Sequence, residues 1–575
     1  MKNKIFSLFL LALVFTIGGC ETFDLDQLDN PSKLPKEQLE PVSAFNYVQL
    51  TLPDFVDSNN GFTQRAIRQM AMTGGNTYEN AFTPIDFDNN WTTAYLILNT
   101  IKSMEPKAIE NDQKFILGAS KIIRSYILMT MVDTYGDIPY SEALQGNANL
   151  RPRYDNSEAV YAGIYDELNQ AIEYLTASDE ALNLQPRDLY YGNSEGKGDK
   201  SKWITLAKTL KFKMLYNASK IGHFGGVDVN SQLTLLLQED DLIKTAEQDF
   251  AFKYGTERDA PNSRHPLYND QYEFGTGAYI ANYFFWAVSV EKNKGPEYDP
   301  REEFYFFKQA RLNAGNTTSQ SLPCKTIARP AHYSDPAYAS FYNTLIPPAY
   351  CTSDGATGDA SYLGRDHGDR SGLPQDDEIR SLVGVYPAGG AIGPEAVVSN
   401  LANAGLKGAL GQGIMPMVLS SYVSFMKAEL ALTLGLGGDP AALLEDGIRK
   451  SISKTTTFLP AQAGAPSQAV TTAKTTAYVA FVLSVYNDPL ASAAKKLELI
   501  IKEYYIATWG NGIEPYNNYR RTGYPSNLQP TLEENPGPFF STALYPYVSV
   551  NNNPNAPSNI RTKKVFWDVS GITLH

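Results

Sequence analysis

Apolar residues recur at helical spacing in two groups of segments, and a long aperiodic stretch lies between the groups. The first group runs from Gln113 to Val132 (Ile116, Ala119, Ile123, Ile127, Met131), Asn156 to Leu175 (Val160, Ile164, Leu168, Ile172) and Ser201 to Lys220 (Trp203, Ala207, Leu210, Met214), with Ser201 as the expected cap. The second comprises Met417 to Leu434, Pro440 to Lys454 behind an Asp439 cap, and Thr475 to Tyr486. A helix with one apolar stripe must bury it against another element, so these segments demand a mainly α fold. Asp249 to Pro416, rich in Gly, Pro, Asn and aromatic residues, is too long for a plain loop and reads as a large irregular, loop-rich lobe inserted among the helices.

Near the C-terminus, Asp488-Pro489 reads as a helix start, and Leu490, Ala494, Leu497, Ile501, Tyr504 and Thr508 form one face. Trp509-Gly510-Asn511-Gly512 ends it, because glycine takes the left-handed conformation that closes a helix. The following Pro515 to Pro525 is expected to be a non-helical loop, crowding aromatics beside Arg520-Arg521, whose guanidinium forks suit backbone carbonyls or carboxylates.

This late helix with its Trp-Gly end and Arg-Arg-Thr-Gly-Tyr-Pro sequence resembles the C-terminal signature of the SusD/RagB family of nutrient-binding outer-membrane lipoproteins. The segment Val132 to Ala143 (VDTYGDIPYSEA), Gly364 to Asp369 and Gly384 to Gly390 are similar to further segments of that family, in the same order along the chain. The resemblance implies tetratricopeptide-like helical hairpins, with residues 54–575 as a single domain and the lobe at about 249–416. It also implies a SusC-like TonB-dependent transporter as partner and a nutrient, an oligosaccharide or a peptide, as ligand.

Lys2 and Lys4 precede an apolar run from Ile5 to Ile17, the charge order of a secretory signal (1–19), and the run ends at Gly18-Gly19-Cys20. That ending resembles a lipobox, which makes Cys20 the expected lipidation site and anchors the chain on the outer membrane at the cell surface. Residues 20–53, polar and interrupted by prolines, read as a tether. Cys324 and Cys351, the two cysteines left, are expected to pair in an oxidising envelope, with two free thiols as the alternative.

A net charge of −13 without a basic cluster argues against nucleic acid. Aromatics make up 12% of the chain, and rings beside amides and carboxylates suit sugar stacking and hydrogen bonding. The candidate ligand residues are Asn76, Tyr78, Trp91, Tyr268, Tyr272 and Trp286, expected as exposed groups. Five histidines without a His-Glu-x-x-His pattern, and the lack of a phosphate-cradling loop or a serine elbow, give no enzyme signature and no cofactor. Arg365 to Arg370 with Asp376-Asp377-Glu378 offers oxygen ligands for a structural Ca²⁺, although salt-bridged turn scaffolding is the preferred reading. Glu429, inside an apolar helix, is expected to satisfy a neighbouring helix. Surface glycoside hydrolase and pure helical scaffold stand as the other functions, the first because two carboxylates on separate loops would suffice.

Overall fold

The computed structural model describes residues 39–73, 77–178, 187–259, 261–273, 279–291, 299–307, 364–369, 381–392, 405–459, 465–533 and 535–571. Cys20, Asn76, Cys324, Cys351 and the acidic run at 376–378 lie outside them.

The chain begins its packed body earlier than the tether reading placed it. Helix α1 spans Pro41–Ala66 and buries Phe45, Val48, Leu52, Phe55 and Val56. Pro41 occupies its first turn, where no N–H is needed, but Pro53 sits inside and removes the donor for the Gln49 carbonyl. Tyr190 Oη donates to that carbonyl at 3.1 Å, so the helix passes the proline with the lost bond replaced.

The first helical group continues as α2 (Asp88–Glu110), α3 (Lys114–Tyr135), α4 (Ser157–Thr176), α5 (Lys200–Asn217) and α6 (Val229–Glu239). Each packs on the next in chain order, and α1 lies on α2, as stacked hairpins do. The α5 cap is Asp199, two residues ahead of the expected Ser201, and its carboxylate accepts the Ser201 and Lys202 N–H groups. Helix α3 is apolar enough to cross a membrane by composition, yet it is buried among α2, α4 and α5 as the core of this group.

The lobe is closed at its root by a ladder. Strand β3 (Phe250–Lys253) pairs antiparallel with β6 (Ile414–Val418), so the chain leaves and re-enters the helical body at one place. Ahead of β3, β1 (His223–Phe224) and β2 (Val227–Asp228) form a small hairpin. Inside the lobe, α7 (Asn282–Ser289) and the two-residue strands β4 (Phe306–Phe307) and β5 (Leu382–Val383) are regular, and their rings turn inward. Arg301, fully buried, binds the lobe to the second helical group through Asp299 and Glu503.

That second group is α8 (Ser420–Leu434), α9 (Pro440–Thr457), α10 (Gln468–Tyr486) and α11 (Ala493–Ala507). Asp439 caps α9 as expected, whereas α10 starts ahead of Thr475 behind a Ser467 cap. Ser492 caps α11, leaving Asp488 to cap a preceding turn and Leu490 91% exposed.

One expectation fails outright: Ile513–Thr522 is a helix, α12. Pro515 falls in its first turn and Gly523, at φ +75°, closes it by donating to the Tyr519 carbonyl. All ten of its residues are buried, and it touches α1, α3 and α11. Arg520 donates to the Ser541 and Asp133 carbonyls, and Arg521 forks onto Glu429 of α8, so both guanidinium groups find the partners their chemistry requires. Asp133, fully buried, also receives Asn517 Nδ2–H at 2.7 Å and Trp567 Nε1–H at 3.0 Å.

Candidate ligand cleft

A cleft of about 140 Å³ opens where the C-terminal half of α1 meets the lobe and the Trp-Gly-Asn-Gly turn. Asp57, Asn60, Gly61, Gln64 and Arg65 line it from α1, His265, Leu267 and Asp270 from the lobe, and Met70, Pro387 and Gly510 complete the wall. Positions 57, 60, 61, 64 and 65 share one helix face, the polar stripe of an otherwise core-facing helix.

The Trp509–Gly512 turn is held against this face by one side chain. Asn60 Nδ2 donates to the Gly510 carbonyl at 2.9 Å and its Oδ1 accepts the Gly512 N–H at 2.8 Å. Gly510 needs its positive φ of 94°, and a Cβ on Gly512 would stand 2.3 Å from Thr63 Oγ1 and 2.6 Å from the Gln64 nitrogen. The C-terminal signature thus shapes the wall of the cleft.

Electrostatically the site is carboxylate-rich. Asp57, half-buried, is raised to about 7 by burial, then by Asp270 and Asp54. Loss of hydration also raises Asp54 and Asp270 at the rim. Arg65 is lowered by burial, with Asp86 acting against that. His265 is 3% exposed and held neutral, its pKa pushed down to about 3 by burial, with the Ile414 backbone opposing weakly. Its Nδ1 accepts the Leu267 N–H, which puts the proton on Nε2, toward the Ile414 backbone and without a well-formed hydrogen bond among the described residues. Beside it, the Tyr254 ring meets the imidazole edge-on at 4.8 Å, and its hydroxyl, raised by burial, Asp57 and Asp54, has no partner either.

The rings singled out in the sequence are elsewhere employed. Tyr78 is 1% exposed, with its hydroxyl between Arg68 Nη2 and His367 Nε2. Trp91 packs among Tyr95, Tyr135, Tyr154 and Tyr545. Tyr268 and Tyr272 stack at 4.6 Å and spend their hydroxyls on the Lys407 and Val383 carbonyls. Trp286 is 5% exposed beneath the Lys502 ammonium. The expectation that these rings are exposed is therefore corrected: packing of the lobe onto the helices takes the faces of Tyr268, Tyr272 and Trp286, and the first helices and the C-terminal segment take those of Trp91 and Tyr78. Their neighbours Leu267 and Asp270 do reach the cleft, whereas the α1 residues were missed because that helix was read partly as tether. Their signal was the polar spacing from Asp57 to Arg65.

In the Gly364 to Asp369 segment, Asp366 accepts from Asn282 and Gln529, and Arg365 pairs with Asp369 at 3.5 Å. Among the described residues no group of His, Cys, Asp and Glu is arranged to hold a metal ion. Glu429 meets Arg521 and Tyr216, as a helix-bridging carboxylate should.

Two family models match the chain: residues 33–335 match the one described as starch-binding, associating with the outer membrane, and residues 411–557 that of the SusD and RagB outer-membrane lipoproteins. The chain belongs to the SusD/RagB family, a family of outer-membrane lipoproteins. Its fold is shared with solved structures of low identity. A SusD homologue from Bacteroides uniformis superposes with a TM-score of 0.61 at 17% identity, over 92% of this chain and 99% of the other. A chitin-binding protein gives 0.63 at 19% over 92% and 100%, and a chitin-binding SusD homologue from Flavobacterium johnsoniae gives 0.60 at 18% over 92% and 98%. No curated protein sequence matches the chain.

Proposed function

We propose that this lipoprotein captures an oligosaccharide in the cleft between α1 and the lobe and delivers it to a SusC-like TonB-dependent transporter, anchored through lipid on Cys20. The observation that supports the reading is the convergence of carboxylate, amide, guanidinium and imidazole groups around an open cleft on a fold of this family. Planar polar side chains of this kind hydrogen-bond sugar hydroxyls, while Met70, Leu267 and Pro387 offer apolar contact.

Titration calorimetry of the full-length protein against a panel of oligosaccharides tests the reading. A Gln64→Ala variant should lose binding by about tenfold while melting normally, and no shortened sugar should appear on incubation. Capture of peptides alone, or release of hydrolysis products, would replace the proposal by peptide uptake or by an enzyme. For the partner, affinity capture from gently solubilised outer membranes should recover a TonB-dependent barrel in equal amount, and a Cys20→Ala form should leave the membrane fraction.

A further inference from the structure

A pocket that shares no lining residue with the cleft opens in the second helical group. Helix α10 packs mainly on α9 and meets α11 over a short contact, which leaves a space of about 260 Å³ beside them. Its apolar wall is Phe481 and Val485 of α10 with Leu499 of α11. Helix α10 lies at the surface with one charged residue in nineteen, Lys474, which is paired with Glu303. Apolar side chains of such a helix stay at the water where no neighbour covers them, and Phe481 and Val485 are only half-buried.

The opposite wall is polar and fixed. Lys502, 4% exposed, donates to Tyr283 Oη at 2.6 Å and to Asn527 Oδ1 at 3.1 Å, and meets Glu291 Oε2 at 2.7 Å. Asn527 Nδ2 donates to Glu291 Oε1 at 2.6 Å, which closes the network. The Trp286 ring supports the ammonium from behind at 5.3 Å. Burial raises the Glu498 carboxyl, but Ser526, Lys495 and Lys502 outweigh it and hold the group below its usual range, as an ionised acceptor. Glu291 and Glu498 are balanced by Lys495 and Lys502, so the lining has no net charge and a charged ligand gains nothing by entering. Each carboxylate can accept about four hydrogen bonds and uses two here, so both have acceptor capacity left. A wholly apolar guest would bury that capacity unmet.

We propose that this pocket is a second carbohydrate site, taking one neutral pyranose unit with its apolar ring face against Phe481 and Leu499 and its hydroxyls donating to Glu291 and Glu498. A volume of about 260 Å³ lies just below that of drug-sized ligand pockets, about 300–1,000 Å³, and suits a single ring. The site stands whether or not the α1 cleft captures glycans.

Saturation-transfer NMR titrations of the full-length protein with methyl glycosides of neutral hexoses test it, in wild type and in a Gln64→Ala background that disables the cleft. In that background a methyl hexoside should still bind, and Phe481→Ala should weaken it about tenfold. Glu498→Gln, which keeps side-chain shape beside the exposed Lys495, should weaken it several-fold while the melting temperature is unchanged, which separates loss of the ligand from loss of the fold. Binding that both variants retain, or no hexoside binding at all, would overturn the proposal. Hexosides that bind the wild type but not Gln64→Ala would overturn the second site and leave capture in the cleft standing. Binding of octanol and of no hexoside would overturn it in favour of an apolar ligand.

Discussion

Asp57 shows what a single side chain on the open face of a core helix experiences. Its carboxyl is raised to about 7 in the folded protein against 3.8 ordinarily, so between those values the folded state holds a proton that the unfolded chain has released. Its contribution therefore favours folding at low pH, declines as pH rises from about 4 to 7, and is flat above. Asp57→Asn removes the burden, and the variant should exceed the wild type by about 1–2 kcal/mol in urea unfolding at pH 8, with the difference fading by pH 4. The full shift would give more, but the group is half-buried and partly screened. His265, pushed down to about 3, works in the opposite sense: the unfolded ring takes up a proton below pH 6.5 and the wild type loses stability there. Comparing variant with wild type at each pH separates the two groups. None of this was visible in the sequence, where Asp57 is one acid among 62 and its environment depends on a lobe that enters the chain far downstream.

At the scale of elements, legibility followed the strength of local signals. The Asp439 cap and the apolar periods of α3 and α4 place those helices to within a few residues, because caps and stripes are properties of neighbours in sequence. Helix α1 was obscured by Pro53, whose missing bond is made good by Tyr190 from a distant segment. Helix α12 was obscured by its polar composition, which only complete burial against Asp133 and Glu429 makes compatible with a core. Half of the cleft stands on α1, so the same proline hid half of the site. Packing between α3 and α4 is close enough to test: a Cβ on Gly118 would lie 2.6 Å from Leu175 Cγ and 3.0 Å from the Ala171 carbonyl. Gly118→Ala gains about 1 kcal/mol of helix propensity, yet the backbone cannot yield easily. We expect a net loss of about 1–2 kcal/mol in urea titrations. Gain of stability would show that the two helices separate freely.

Across the whole molecule, the two helical groups are held together by charge buried far from solvent. Arg521 on α12 and Glu429 on α8 form one such pair with Tyr216 of α5, and Lys213 meets Glu514 at 3.0 Å nearby. Burial pushes the Tyr216 hydroxyl up, and the same burial makes an unpaired charge costly. Glu429→Ala leaves the Arg521 guanidinium without its carboxylate and should cost about 3–5 kcal/mol in chemical denaturation. A loss below about 1 kcal/mol would show that water reaches the site and hydrates the cation.

The partners of Asp133 also set a schedule for synthesis. This carboxylate sits on α3, in the first quarter of the chain, yet Asn517 and Trp567 reach it from near the C-terminus, and Arg520 binds its carbonyl. Tyr161 of α4 and Asn217 of α5 already donate to this carboxylate within the first helical group, and its set of donors closes only when the late residues have emerged from the ribosome. The last residues of the chain are thus the clasp of its first helices, and the body is locked shut from the end that is made last.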